Sequence, residues 1–368
     1  MKRSENLNSE PAVTENDRRK KEKPLIIAGP CSAESPMQLL ETALALKDCK
    51  SVDYFRAGVW KPRTLPDSFQ GVGSEGLKWL RDIKLETGMK VATEVGCEKH
   101  VLEALKYDID LLWIGARTVS NPFVVQEIAE SLRGVDIPVF VKNPLNPDLE
   151  LWYGAINRFL KVGIKEVGAI HRGFSVWGKS IFRNPPIWEI PKALKERMPG
   201  MTIICDPSHI TGKRSLVPLV SGRAMGEGMG GLMIEVHPEP EKAMSDAAQQ
   251  LDPPAFSDLM NDLEIVSPHS SEETYNTIDE LSSEIEKVDD LLVHTIASRM
   301  ELARQIAMKQ NPGVSLSTQR SECEKANGRL QGLAINDGLR PDFVNRLFDE
   351  INRESHHIKS PGAGMVGK

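Results

Sequence analysis

From Pro24 to about Leu263, short apolar runs alternate with longer stretches in which apolar residues recur at helical spacing. The runs are PLIIAG (24–29), YFRAGVW (54–60), KVATEV (90–95), LLWIGA (111–116), PVFVKN (138–143), EVGAI (166–170), TIICD (202–206) and GLMIEV (231–236). Each is apolar almost throughout, as strands covered on both faces of a parallel sheet must be. Between them the spacing predicts helices such as Met37–Lys47, Gly76–Thr87, Asn121–Ser131 and Pro147–Val162. Eight βα units in about 240 residues predict an α/β fold closed into a (β/α)8, or TIM, barrel over 24–265. An open doubly wound sheet competes, but it usually has fewer strands and a glycine-rich first turn, which this chain lacks.

After Val266 the pattern changes. Residues 266–277 are polar and read as a linker, and from Ile278 to residue 360 no strand-like run occurs. Ile278, Leu281, Ile285, Val288, Leu292, Ile296 and Ile306 keep helical spacing up to Asn311-Pro312-Gly313. That predicts one helix of about 33 residues, roughly 50 Å long. Shorter helices are predicted near Thr318–Ala334 and over Pro341–Lys359. A domain of about 80 residues cannot bury so long a stripe alone, so an all-α unit that forms a homodimer is expected. The polar ends, 1–23 and 361–368, are expected to be disordered tails.

Composition changes this picture little. The chain has 368 residues, 40% hydrophobic and 27% charged, with net charge −6. Nothing global points to nucleic acid or an anionic membrane, so any cationic site must be a local concentration. The five cysteines (Cys31, Cys49, Cys97, Cys205 and Cys323) are scattered and lack CxxC spacing, which reads as reduced thiols in the cytoplasm. No run approaches the roughly 18 apolar residues of a membrane span, and the N-terminus lacks the apolar region of a secretory signal.

In a (β/α)8 barrel the active site is built from the C-terminal ends of the strands. Read in order, those ends carry Gly29-Pro30-Cys31-Ser32; Arg56 with Lys61-Pro62-Arg63-Thr64; Glu94; Arg117; Lys142; His171-Arg172; Asp206 with His209; and Glu235 with His237. Six cations around one mouth (Arg56, Lys61, Arg63, Arg117, Lys142 and Arg172) predict that anions occupy it, and guanidinium forks suit phosphate. The bland reading pairs each arginine with a surface carboxylate, which is even odds for one residue and poor for the set. Cys31, His209, Glu235 and Asp246 have no metal-motif spacing. Strands seven, eight and one are neighbours in a closed barrel, however, so the four can meet. A thiolate, an imidazole and two carboxylates form a candidate site for Mn2+, Fe2+, Co2+ or Zn2+. Alone, Cys31 would more often be a buried structural cysteine. A non-enzymatic sugar-phosphate sensor would not need four converging ligands.

The strings GPCSAES, FRAGVWKPRT, ATEV, GARTVSNP, VKNP, HRGF, CDPSH and GLMIEVHPEP with the following SD resemble 3-deoxy-D-arabino-heptulosonate 7-phosphate (DAHP) synthase of the compact type I beta form. The likeness covers about residues 24–263. It implies condensation of phosphoenolpyruvate with erythrose 4-phosphate, the first step of the shikimate pathway. By resemblance, Arg56, Lys61, Arg117, Lys142 and Arg172 hold phosphoenolpyruvate, and Arg63 and Thr64 bind the sugar phosphate. Cys31, His209, Glu235 and Asp246 ligate the metal. The reaction needs a Lewis acid on the aldehyde, a proton donor for the developing alkoxide (Lys61) and a group to place the attacking water (Glu94). The related synthase that uses arabinose 5-phosphate shares the barrel; the intact KPRT and GART strings favour the erythrose enzyme.

The C-terminal string IEKVDDLLVHTIASRMELARQIAMKQ resembles the all-helical chorismate mutase family. That activity rearranges chorismate to prephenate without nucleophile or cofactor; the protein holds a compact dicarboxylate and supplies donors to the breaking ether. By resemblance Arg299 is the first-helix arginine, Arg320 the second-helix arginine and Ser355 the third-helix serine. Lys309 stands one residue from the family's lysine position, which is Gln310 here. Ser282, Ser321 and Lys359 replace an arginine, a glutamate and a glutamine. The resemblance therefore leaves two expectations: a working mutase, or a mutase-shaped module for dimerisation and ligand sensing. In either case prephenate or chorismate bound by the helices is expected to inhibit the barrel.

Overall fold

Eight short strands form in the order of the runs: β1 (Leu25–Gly29), β2 (Tyr54–Arg56), β3 (Lys90–Val95), β4 (Leu111–Ile114), β5 (Val139–Lys142), β6 (Val167–His171), β7 (Ile203–Cys205) and β8 (Gly231–Glu235). All neighbours pair in parallel, and β8 returns to β1 to close the barrel. The computed structural model describes residues 23–266 apart from 50, 64, 66 and 179; of the C-terminal part it describes 289, 292–293, 295–297, 299–306 and 340–358.

The strand period of two sorts the apolar residues into two cores. Ile27, Tyr54, Ala92, Leu111, Trp113, Phe140, Ile170, Ile204 and Met233 fill the barrel interior. Their out-of-phase neighbours, among them Ile26, Phe55, Val91, Leu112, Val139, Ala169 and Leu232, pack with residues of the surrounding helices. Truncating a buried leucine or isoleucine of this set to alanine costs about 2–5 kcal/mol. This double burial is why the runs are apolar without alternation.

Around the barrel lie α1 (Pro36–Lys47), α2 (Ser74–Thr87), α3 (Glu98–Lys106), α4 (Ala116–Val119), α5 (Pro122–Ser131), α6 (Leu149–Lys161), α7 (Glu189–Arg197), α8 (Pro207–Thr211), α9 (Val217–Gly226) and α10 (Pro253–Val266). Caps set their starts. Ser35 accepts from the Gln38 N–H and Asp148 from the Leu151 N–H; such caps are worth about 1 kcal/mol each. Asp148 explains why α6 begins two residues after the expected Pro147.

The chain divides into two compact units, Met1–Glu272 and Glu273–Lys368. In the second, the described residues between 289 and 306 are helical, and α11 runs from Pro341 to Ile358. The remainder of the expected long helix, the helix near Thr318–Ala334, the linker and both tails lie outside the described residues. Among the described residues no helix is long and apolar enough to cross a membrane.

Candidate active site at the barrel mouth

The same period of two aims the strand-end side chains. Arg56 is in phase with Tyr54, Glu94 with Ala92, Lys142 with Phe140, Arg172 with Ile170, Asp206 with Ile204 and Glu235 with Met233, all residues of the interior core. Their side chains therefore share the inside of the barrel at its C-terminal end. His171 is out of phase. Its ring lies against Trp152, Phe174 and Trp188, and it is buried completely. Burial, reinforced by Arg172, pulls its pKa down to about 3. The expectation that His171 reaches the mouth is corrected: it is a neutral core residue.

Cys31, Glu235 and Asp246 each bring a donor atom within 4.8 Å of the others. His209 stands beside them, with Nε2 3.7 Å from Glu235 Oε1 and Nδ1 2.8 Å from Asp206 Oδ2. An imidazole held by a carboxylate on one nitrogen presents the other in a fixed direction. Burial pushes the Cys31 thiol up to about 12, and Glu235 adds to this. Burial also opposes the charge of Asp246, but His209 and Arg183 outweigh it and hold that carboxyl well below its usual range. Converging buried acids with a sulfur and an imidazole fit a divalent cation, whose charge removes the penalty on the thiolate.

Backbone geometry makes room for this convergence. A Cβ on Gly29, whose φ is +145°, would stand 2.2 Å from the Arg56 carbonyl oxygen. One on Gly115 would meet Glu94 Oε1 at 2.0 Å. Asp246 itself sits at φ 48°, a left-handed conformation that aspartate tolerates better than most residues.

The cations ring this cluster. Arg56, 1% exposed, lies 4.9 Å over the Trp113 ring and donates through Nη2 to Glu235 Oε1 at 3.3 Å and the Cys31 carbonyl at 3.4 Å. Among the described residues its Nε and Nη1 find no hydrogen-bond acceptor. A buried guanidinium with open donors is a seat for an anion. Lys61 Nζ donates to the Cys31 carbonyl and Sγ, each at 3.0 Å. Burial works against its charge, but Cys31, Glu94 and Glu235 together hold its pKa above the ordinary value. Lys142 pairs with Asp206 at 2.8 Å, both buried. Burial drags Arg172 down to about 10, and Arg183 and Arg117 push it further in that direction, a sign of concentrated positive charge. Glu94 accepts from Trp113 Nε1 at 3.1 Å.

Arg63 is half-buried and its Nε donates to the Phe69 carbonyl at 2.8 Å. Thr64 lies outside the described residues. Arg117 is exposed on α4.

In the helical unit, Arg299 donates to Ser355 Oγ at 2.8 Å and to Asn352 Oδ1. Lys309 and Arg320 lie outside the described residues, as do Ser282, Gln310, Ser321 and Lys359.

Three polar residues, Gln249, Gln250 and Arg183, escaped the sequence reading of the site, which placed Asp206 at the mouth without giving it a role. Asp206 caps α8, accepting from the His209 N–H, and binds Lys142 and His209; burial opposes its charge, and those two partners hold it far below its usual range. Its signal was an aspartate at a strand end before a helix-starting proline. Gln249, Gln250 and Arg183 carried no comparable signal, because they lie in loops whose path only the closed fold defines. Gln249 Nε2 donates to Glu235 Oε2 at 2.7 Å, and Gln250 accepts from the Cys31 N–H at 3.0 Å.

A closed parallel barrel, with a cation-ligating cluster inside a ring of arginines and lysines, defines a (β/α)8 enzyme for anionic substrates. Residues 13–267 match the DAHP synthetase I family, and residues 281–359 match chorismate mutase type II. Phospho-2-dehydro-3-deoxyheptonate aldolase from Thermotoga maritima is 35% identical over 238 residues, covering 65% of this chain and 68% of the relative. The crystal structure of a DAHP synthase of that name and organism superposes with TM-score 0.59 at 33% identity, over 65% of this chain and 68% of that one. A 2-dehydro-3-deoxyphosphooctonate aldolase from Variovorax paradoxus is 29% identical, over 60% of this chain and 82% of its own length. The chain belongs to the DAHP synthetase I family and, later in its sequence, carries a chorismate mutase type II domain.

Proposed function

We propose that the barrel condenses phosphoenolpyruvate with erythrose 4-phosphate to DAHP and phosphate. The observation that carries this is the buried, half-partnered Arg56 within the ring of Lys61, Lys142 and Arg172 beside Cys31, Glu235 and Asp246. Arg56, Arg117, Lys142 and Arg172 hold the phosphate and carboxylate of phosphoenolpyruvate. Arg63 and Thr64 hold the phosphate of the sugar. Cys31, His209, Glu235 and Asp246 hold a divalent cation, Mn2+ with Fe2+, Co2+ and Zn2+ as alternatives, which polarises the aldehyde when bound. Carbon 3 of the enol attacks the aldehyde carbon; Lys61, kept protonated by its acidic neighbours, gives a proton to the developing alkoxide. Glu94 orients the water that adds to the cationic carbon, after which phosphate departs.

The helical unit rearranges chorismate to prephenate, with Arg299, Arg320 and Lys309 as donors and Ser355 on the substrate carboxylate, and pairs with a second copy. Prephenate or chorismate bound there inhibits the barrel, each ligand favouring a different arrangement of the protein. The substitutions at Ser282, Gln310, Ser321 and Lys359 favour a second reading of this unit, as a dimeric sensor without turnover.

Erythrose 4-phosphate and arabinose 5-phosphate offered separately, with phosphate release as the readout, test the barrel. Turnover with the four-carbon sugar supports the proposal; turnover with the five-carbon sugar alone overturns it. Chorismate consumption by the full-length protein separates the two readings of the helices. A condensation rate unmoved by prephenate removes the regulatory proposal.

A further inference from the structure

The loop between β6 and α7 contributes no residue to the ligand set proposed above, yet residues 183 and 184 touch the supports of three of its members. Arg183 Nη1 lies 3.0 Å from Asp246 Oδ1 and 3.0 Å from Gln249 Oε1. Gln249 is 1% exposed and turns its amide the other way, onto Glu235 Oε2 at 2.7 Å. One guanidinium nitrogen thus fixes one carboxylate directly and a second through a buried amide. Gln249 has no freedom to reverse: its oxygen faces the Arg183 donor and its nitrogen faces an acceptor.

The backbone beneath Arg183 is pinned to the segment that carries His209. Arg183 N–H donates to the Thr211 carbonyl at 3.2 Å and Asn184 N–H to the Ile210 carbonyl at 3.0 Å. Asn184 Nδ2 donates to the His209 carbonyl at 2.7 Å. The two segments touch closely: a Cβ on Gly212 would stand 2.6 Å from Arg183 Cβ. The Arg183 side chain is half exposed and its partner Asp246 mostly covered. Surface ion pairs of this kind contribute little to folding, so stability alone does not account for an arginine shared between Asp246 and Gln249.

We propose that Arg183 is a positioning residue for the cation site: it sets the orientation of Asp246 and, through Gln249, of Glu235, and so tunes cation affinity without touching substrate. This rests on the assignment of Cys31, His209, Glu235 and Asp246 as ligands. Outer partners of metal ligands typically change affinity by about 10–100-fold when removed, and that is the size expected here.

The test titrates Co2+ alone into the metal-stripped full-length protein, with the thiolate-to-cobalt absorption of Cys31 as the signal, for wild type, Arg183→Ala, Arg183→Lys and Gln249→Leu. Arg183→Ala is expected to weaken binding by about 10–100-fold and to shift the band. Arg183→Lys should recover part of the affinity, because one nitrogen serves both acceptors. At saturating cation the Arg183→Ala KM for phosphoenolpyruvate should equal that of wild type, while kcat falls. Gln249→Leu should weaken binding too, and in the double variant with Arg183→Ala the two effects should add less than fully, since both loosen Glu235 through the same amide. If Arg183→Ala proves poorly folded, Gln249→Leu and Arg183→Lys carry the test. Wild-type affinity and spectrum in Arg183→Ala, or a raised KM for phosphoenolpyruvate at saturating cation, overturns the proposal. No Cys31-dependent band in wild type overturns the ligand assignment itself, which is a different result.

Discussion

The barrel mouth and the site proposed around Arg299 in the helical unit solve different problems with different materials. At the mouth, six strands aim ionisable groups into one buried space, and opposite charges are held within hydrogen-bond reach of each other: Lys142 with Asp206, Arg56 with Glu235. In the helical unit, the half-buried Arg299 donates to two neutral side chains, Ser355 and Asn352. Condensation moves a proton and stabilises developing charge, so it needs an acid and a cation. A pericyclic rearrangement needs only a fitted shape and a few donors.

Changes that strike one region should spare the other. Lys61→Ala should lower the condensation kcat by about 10²–10⁴-fold, the range for loss of a general acid, and leave chorismate turnover at the wild-type rate. A proportional fall in both would show the regions to be one functional unit. Asp206→Ala strands Lys142 and His209 at the mouth and should cost about 3–5 kcal/mol in barrel unfolding by denaturant. A loss below 1 kcal/mol would mean that the pair is far more hydrated than its burial indicates. Arg299→Ala should cut chorismate consumption by about 10²–10³-fold while condensation without effector stays unchanged.

A pH-dependent effect concerns His171, a strand-end group that faces away from the chemistry. Its pKa is depressed to about 3, so the folded chain refuses a proton that the unfolded chain accepts near 6.5. A depressed folded value means that stability is present above 6.5 and is lost as pH falls towards 3. The loss is about 1.4 kcal/mol per pH unit in that window. His171→Phe should remove this slope, so its stability relative to wild type should rise between pH 6 and pH 4. Parallel pH profiles would place the imidazole in a wetter setting than the structure does.

His171 also marks where the sequence could mislead. The eight apolar runs located every strand, because a parallel strand buried on both faces has no other pattern. The residue types at their ends located the mouth. What the runs hid was phase: a strand apolar on both sides does not announce which side is inside, and only the closed barrel separates Arg172 from His171. The gap between Cys31 and Asp246 closes because β8 pairs with β1, a step that assuming closure made legible. Arg183 and Gln249 stayed invisible since each acts from a loop, through partners far along the chain. Arg299 and Ser355, 56 residues apart, meet in the structure; the family likeness singled out each residue but not their contact.

Metal removal tests the central claim, that one chain carries two sites of unlike chemistry, most directly. The full-length protein is stripped with a chelator, and both activities are followed in the same sample. The account predicts that condensation disappears and returns on addition of Mn2+, while chorismate consumption is unchanged throughout. Condensation that survives complete removal of divalent cations would contradict it, as would chorismate turnover that falls and recovers with the metal.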